Sequence, residues 1–255
     1  MKLIDNPMGD YRFLQGIAPY SSGVVAMPGF EIVRIRLQTP VPLKENIFER
    51  ISQHLSEEGR PIQALCSMEL RIPEPLTFEG FKEFNNRYQD MLKDNDLLLG
   101  EVNPLARTNI SPAVTGITEP SVYALSYTVP VEKKKERPTF IVAGAGDLTD
   151  QTDLSTSAII RPDDISANAM EEKVSMVVKV MTDRLNGLQM NWDAVSSISI
   201  YTEVPVHSFL YNTVLKPIGA TAVRGTNWYF SNPPIKGLAY EMDMRGLRKE
   251  LVKEF

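Results

Sequence analysis

The stretch EIVRIRLQT, residues 31–39, sets Ile32, Arg34, Arg36 and Gln38 against Val33, Ile35 and Leu37. That period of two, apolar on one side, predicts a β-strand with one face turned to a core. A second stretch, TFIVAGAGDL at residues 139–148, opens the latter half of the chain in the same role. Between them VEKKKERP, residues 131–138, is the most charged short segment; it ends in a proline and reads as a linker.

Outward from each strand the spacing becomes helical: Ile47, Phe48, Ile51 and Leu55 after the first, and Met170, Val174, Val177, Val178, Met181, Leu185 and Leu188 after the second. Gly59 and Gly187 stand where those helices should end. QALCSMELRI (residues 63–72) and AVSSISIYT (residues 194–202) read as the next strands. Each leads through a Pro-containing loop to another expected helix, one carrying Phe81, Phe84, Tyr88 and Met91, the other Phe209, Leu210 and Val214. Two more strand-like runs close each half. The order strand, helix, strand, helix, strand, strand thus occurs twice, in residues 1–130 and 139–255, which predicts an α+β chain of two repeats. A helix between two strands makes a right-handed crossover between parallel neighbours, so each half should be a mixed sheet with its helices on one face. The bare face then needs a cover, from the other half's sheet or from another chain.

With 43% hydrophobic residues in 255, the chain can bury a sizeable core, and no run approaches the roughly 20 apolar residues of a membrane span. It reads as a soluble protein without a membrane partner. Lys+Arg number 27 and Asp+Glu 32, a formal charge of −5, which gives no electrostatic footprint for nucleic acid. The opening MKLIDNPMGDYRFLQG is interrupted by Asp5, Pro7 and Asp10 and does not read as a signal peptide. The single cysteine, Cys66, leaves no internal disulfide framework and fits a cytoplasmic setting.

His54, His207 and Cys66 have no metal-ligand spacing, and no GxSxG elbow supports a serine nucleophile. The glycines of VAGAGDL match neither phosphate-loop pattern and read as small residues that let neighbours approach closely. Arginine is more informative. Arg107 in NPLARTNISP and Arg224 in GATAVRGTNWYF fall at corresponding points of the two halves. A guanidinium at a strand mouth can grip a carboxylate bidentately, or form an ordinary salt bridge. In AYEMDMRG, Glu241, Asp243 and Arg245 share one strand face and Met242 and Met244 the other. If the charged face is solvated it does nothing; if another sheet covers it, a carboxyl there is raised in pKa and fit for acid–base work.

The order of elements and several local strings resemble the RidA (YjgF) family of enamine/imine deaminases, whose repeats are chorismate-mutase-like, as two tandem copies. GIAPYSSGV resembles the family's glycine–proline–tyrosine segment and brings in Tyr20; FNNRY resembles its asparagine-x-x-tyrosine helix and brings in Asn85. LART resembles the proline–alanine–arginine motif, which makes Arg107 the match for the carboxylate-binding arginine, with Asn109 beside it. In the second half Arg224 falls near the arginine position, and YEMDM resembles the final strand, so Glu241 matches the water-positioning glutamate. Each copy departs from the pattern: Ser121 to Ala124 stand where the first glutamate belongs, and Ala143 and Gly144 replace the second half's serine. The resemblance therefore implies composite sites.

It also implies a hydrolytic deamination without metal or organic cofactor, a small carboxylate substrate, and self-association as a homotrimer of six repeats. Two-copy chains of this size are most similar to deaminases of 2-aminomuconate-type acids, including the chlorinated one, which serve aromatic-compound catabolism. Arg34 and Arg36, outside the usual pattern, are candidates for a second carboxylate, or for pairing with acids on a neighbouring strand. A chorismatase-like hydrolase and a non-catalytic carboxylate-binding protein are the alternatives.

Overall fold

The computed structural model describes residues 2–44, 46–114, 116–132 and 137–254. Half of the charged segment expected as a linker, residues 133–136 of 131–138, lies outside them. The stretch EIVRIRLQT lies in the long strand β4, preceded by three short ones: β1 (Leu3–Asn6), β2 (Tyr11–Leu14), β3 (Gly23–Ala26) and β4 (Phe30–Pro42). There follow α1 (Asn46–Glu57), β5 (Leu65–Arg71), α2 (Phe78–Asp94), β6 (Ala106–Pro112) and β7 (Ser121–Pro130). The latter part contains β8 (Phe140–Gly146), α3 (Ala167–Gly187), β9 (Ser197–Tyr201), β10 (Asn227–Tyr229), β11 (Ser231–Asn232), β12 (Glu241–Gly246) and β13 (Lys249–Lys253).

Two mixed sheets result, in the orders β1-β2-β3-β8-β12-β9-β10 and β11-β6-β5-β7-β4-β13. Within each lies the same four-strand arrangement. In β4-β7-β5-β6 and in β8-β12-β9-β10, the second and third strands of the half pair in parallel, and the half's last strand runs antiparallel between its first and second. The pairing also crosses between the halves. β3 pairs with β8, carrying the N-terminal strands into the second half's sheet, and β13 runs parallel to β4 in the first half's sheet.

Helices cover the outer faces. Ile47, Phe48, Ile51 and Leu55 of α1 and Phe84, Tyr88 and Leu92 of α2 pack on Ile35, Leu37, Met68 and Leu70. On the other sheet, Met170, Val174, Val177, Met181 and Leu185 of α3 pack on Val142, Met242 and Met244. The inner faces meet each other: Phe13, Val24, Ile141 and Ala143 of one sheet join Ile32, Cys66 and Ala106 of the other. The molecule is thus layered helix, sheet, sheet, helix, and the cover each sheet requires comes from the same chain. No helix among the described residues is long and apolar enough to cross a membrane.

One expected element is absent. Where the second half should carry a regular second helix, the chain forms a short π-helical turn, Leu210–Leu215, followed by a 3₁₀ stretch, Gly219–Arg224. Phe209, Val214 and Ile218 still reach the core, so the apolar spacing survived while Pro217 and the positive-φ Gly219 broke the α-helical run. Gly59 does take the left-handed conformation expected after α1. At the end of α3 that conformation falls on Gln189, and Gly187 instead allows close approach, since a Cβ there would stand 2.9 Å from Leu14 Cδ1.

Candidate active site

The covered charged face decides the chemistry. Alternation along β12 sends Met242 and Met244 outward to α3 and Glu241, Asp243 and Arg245 inward between the sheets, where all three are buried. Alternation along β4 and β5 does the same with Arg34, Glu69 and Arg71. A layer of charge therefore lies between two sheets of one chain.

At one end of that layer, residues of both halves line a narrow pocket, with about 400 Å³ of non-protein space when adjoining solvent is counted, formed by Tyr20, Arg107, Asn109, Gly144 and Glu241 and walled by Phe81, Leu154, Ile235 and Leu238. Local structure explains each position. Ser21 bridges in parallel to Ala106, and Asn103 ties the two segments by donating to Pro19 O (2.8 Å) and accepting from Leu105 N (2.9 Å); Tyr20 therefore stands beside Arg107. α2 starts at Thr77, whose hydroxyl caps Gly80 N at 3.1 Å. Its inner face then carries Phe81, Phe84, Asn85 and Tyr88 toward the same spot. Leu76 pairs with Ile235, drawing the segment before β12 over the pocket.

Arg107 is 2% exposed and sits in an aromatic cage, its Cζ 4.9 Å from the Tyr20 ring centroid and 4.8 Å from that of Tyr88. Nη2 donates to Asn85 Oδ1 at 2.6 Å, while Nη1 has no partner. No carboxylate pairs with it among the described residues, and burial lowers its pKa. Asn109, two positions along β6, is buried with both side-chain amide atoms unpartnered. Such orphaned donors are costly unless something fills the site.

Glu241 also lacks a side-chain hydrogen bond or ion pair among the described residues. Burial, reinforced by the Asp243 charge and opposed by Arg184, Arg107 and Arg71, raises its pKa to about 8. Gly144 makes room for it: a Cβ on Gly144 would collide with Glu241 Oε1, and one on Gly146 would stand 2.7 Å from Leu238 Cδ1. The small residues of VAGAGDL thus serve close approach. Among the described residues no three His, Cys, Asp or Glu side chains gather as a metal site would require.

Of the residues singled out in the sequence, Tyr20, Arg107, Asn109 and Glu241 share this pocket, and Asn85 supports Arg107 from behind. Arg224 does not join them. It is exposed, and its Nη1 donates to Val195 O at 2.7 Å, because the 3₁₀ stretch that replaces the expected helix ends before β10. Arg36 is likewise absent from the pocket lining. Arg34 is engaged elsewhere, bidentate to Glu69 at 2.6 and 2.8 Å with a further contact to Glu250 at 3.1 Å. The sequence analysis missed Arg184, buried on α3, whose Nη1 donates to Ala143 O (2.8 Å) and Gly144 O (3.1 Å). Its position beside Met181 and Leu185 on the apolar stripe was the available signal, since a cation on a buried helix face needs a reason.

Residues 3–251 match the family described as 2-aminomuconate deaminase CnbZ. Over 244 residues, 96% of either chain, the sequence is 38% identical to a 2-amino-5-chloromuconate deaminase of Comamonas testosteroni. A chorismatase structure determined at 1.08 Å superposes with a TM-score of 0.49 and 11% identity, covering 88% of this chain and 77% of that one. With a family match running nearly end to end, the chain belongs to the CnbZ family of 2-aminomuconate deaminases.

Proposed function

We propose that the protein hydrolyses an enamine/imine carboxylic acid of the aminomuconate type to the oxo acid and ammonia, without metal or organic cofactor. The observation that carries this reading is a buried arginine with a free Nη1, facing a buried, unpaired carboxyl whose pKa burial raises to about 8, across a pocket built by both halves. Arg107 grips the carboxylate next to the amino-bearing carbon and fixes that carbon near Glu241. Glu241, protonated at the start, gives its proton to the neighbouring enamine carbon and leaves the iminium. As a carboxylate it then takes a proton from water as the water oxygen bonds to the C=N carbon. The carbinolamine collapses to C=O, expelling ammonia; the net change is one water consumed and one ammonia released. Acid–base assistance of this kind is worth about 10²–10⁴-fold. Asn109 is placed to donate to the substrate or the carbinolamine oxygen.

The matching strand order of the two four-strand units supports reading residues 1–130 and 139–255 as RidA-like repeats. The test is ammonia release, coupled to loss of the conjugated chromophore, from freshly generated 2-aminomuconate, its 5-chloro analogue and the enamine of a simple amino acid. Turnover confined to the muconates is the expected result. Arg107→Ala should abolish it with little loss of thermal stability; an unchanged rate would remove the anchor role, and no ammonia from any substrate would leave only carboxylate binding.

A further inference from the structure

A muconate is a diacid, and Arg107 accounts for one carboxylate. Arg34 is saturated by Glu69 and Glu250, and Arg36 and Arg224 lie off the pocket, so the second carboxylate needs another partner. A second, more open hollow adjoins the first: both have Tyr20 and Gln151 as walls, and the second is lined further by Ser22, Thr149 and Arg184. With adjoining solvent it holds about 930 Å³ of non-protein space.

Arg184 is 3% exposed, yet it forms no ion pair among the described residues. The carbonyls of Ala143 and Gly144 occupy Nη1, which leaves Nε–H and the Nη2 donors of the fork free. The acids at the rim of the hollow are turned elsewhere. Asp150 accepts from Thr152 N at 2.8 Å, and Asp183 pairs with Lys179 at 3.0 Å. A buried guanidinium held by carbonyls alone is unfavourable until an anion arrives. The same carbonyls belong to β8, the strand at which Glu241 is seated, and Tyr20 lines both hollows and feels the charge of both Arg184 and Arg107.

We infer that Arg184 binds the distal carboxylate of a linear unsaturated diacid whose other end rests on Arg107, which makes the paired pockets a two-carboxylate gauge. The inference rests on the deaminase reading for the identity of the acid, but its test does not depend on turnover. The probes are muconate and sorbate, stable six-carbon dienes with two carboxylates and one, titrated calorimetrically, or by displacement, into the full-length protein. A charge-assisted hydrogen-bond pair predicts that the wild type prefers muconate about 10–100-fold. Arg184→Gln, which keeps a donor for the two carbonyls, should bring muconate down to the sorbate level and leave sorbate unchanged. Arg184→Lys should keep part of the preference, and Arg107→Gln should weaken both acids. Equal binding of the two acids by the wild type overturns the inference. So does an Arg184→Gln protein that loses both acids equally, because Arg184 would then only support the Gly144 strand. A muconate preference that depends on Arg184, in a protein releasing no ammonia from aminomuconate, would sustain the diacid gauge and sink the deaminase reading.

Discussion

Two groups of buried arginines meet opposite surroundings. In the first Arg34 lies bidentate on Glu69, and Glu250 bridges Arg34 and Arg245 at 3.1 and 2.8 Å. In the second Arg107 and Arg184 have only amide and peptide carbonyls as acceptors. Burial alone pushes all four guanidinium groups toward lower pKa; for Arg34 and Arg245 the facing carboxylates outweigh it and the shift is upward, whereas for Arg107 and Arg184 it prevails. The carboxylates mirror this. Burial would raise Glu69, but the Arg34 charge and hydrogen bonds hold it well below the usual range, while Glu241 is left high, at about 8. Saturation separates a cluster whose charges are matched within the protein from one whose donors stay open to a ligand.

The sharpest way to break this comparison is Glu241→Gln. Loss of the proton donor should cut turnover about 10²–10⁴-fold, with no loss of stability. The pH dependence has a definite sign. Between the ordinary glutamate pKa near 4.3 and the folded value of about 8, the native state holds a proton that the unfolded chain has released. Glu241 therefore costs stability progressively as pH rises through that window, and Glu241→Gln should flatten the slope in denaturant titrations at pH 5, 7 and 9. Because the protonated form starts the reaction, wild-type kcat/KM should decline above pH 8. A rate that rises there would make Glu241 a base from the outset.

Glu69→Ala tests the saturated cluster. Stripping Arg34 of its bidentate partner leaves a buried charge short of compensation and should cost about 3–5 kcal/mol in urea unfolding. Turnover per folded molecule should persist. The sign with pH is the reverse of Glu241: a carboxyl held low supplies stability above the unfolded pKa and loses it as pH falls through the folded value. The wild type should therefore be more sensitive than the variant to acid below about pH 4.

Much of this was legible in the sequence, and the losses have physical causes. The period-two runs located β4, β5, β8, β9 and β12, and the resemblance led to Tyr20, Asn85, Arg107, Asn109 and Glu241. Alternation on β12 separated the methionines from the charges but could not say what covered the charged face, because that depends on β6 lying over β8 from the other half. Pairing partners were equally hidden. Nothing local in residues 3–26 says that they join the second half's sheet, since a strand's own pattern specifies its faces and not its neighbour. The surroundings of Arg34, Arg36 and Arg224 were hidden for a related reason: an arginine that meets a glutamate and one that meets a pocket look the same in one dimension. Arg184 was hidden because the helical spacing marks the apolar positions of α3 and says nothing of the carbonyls its guanidinium meets.

Gly144→Ala probes the seat of Glu241 itself. The added methyl occupies the space of the carboxylate oxygen, so the side chain must swing away from the pocket. A misplaced acid of this sort should lower kcat about 10–100-fold. Substrate binding through Arg107 should be largely kept, which separates the effect from global damage. A variant whose KM rises while kcat stays constant would mean that Gly144 shapes the substrate pocket instead of the acid.

The smallest effect is expected where the two clusters come nearest to solvent. Glu250, on β13, bridges Arg34 and Arg245, but its side chain is 36% exposed. Water can replace much of what it gives, and pairs of that exposure are typically worth about 0.2–1 kcal/mol. Glu250→Gln should therefore shift the unfolding midpoint slightly and leave ammonia release as it was, because Glu69 still satisfies Arg34 and Asp243 still faces Arg245. A large fall in turnover from this substitution would mean that charge rearranged at one end of the sheet interface is felt at Glu241. The saturated and unsaturated clusters would then be one electrostatic unit, and Asp243, which already presses on the Glu241 proton, would be the link between them.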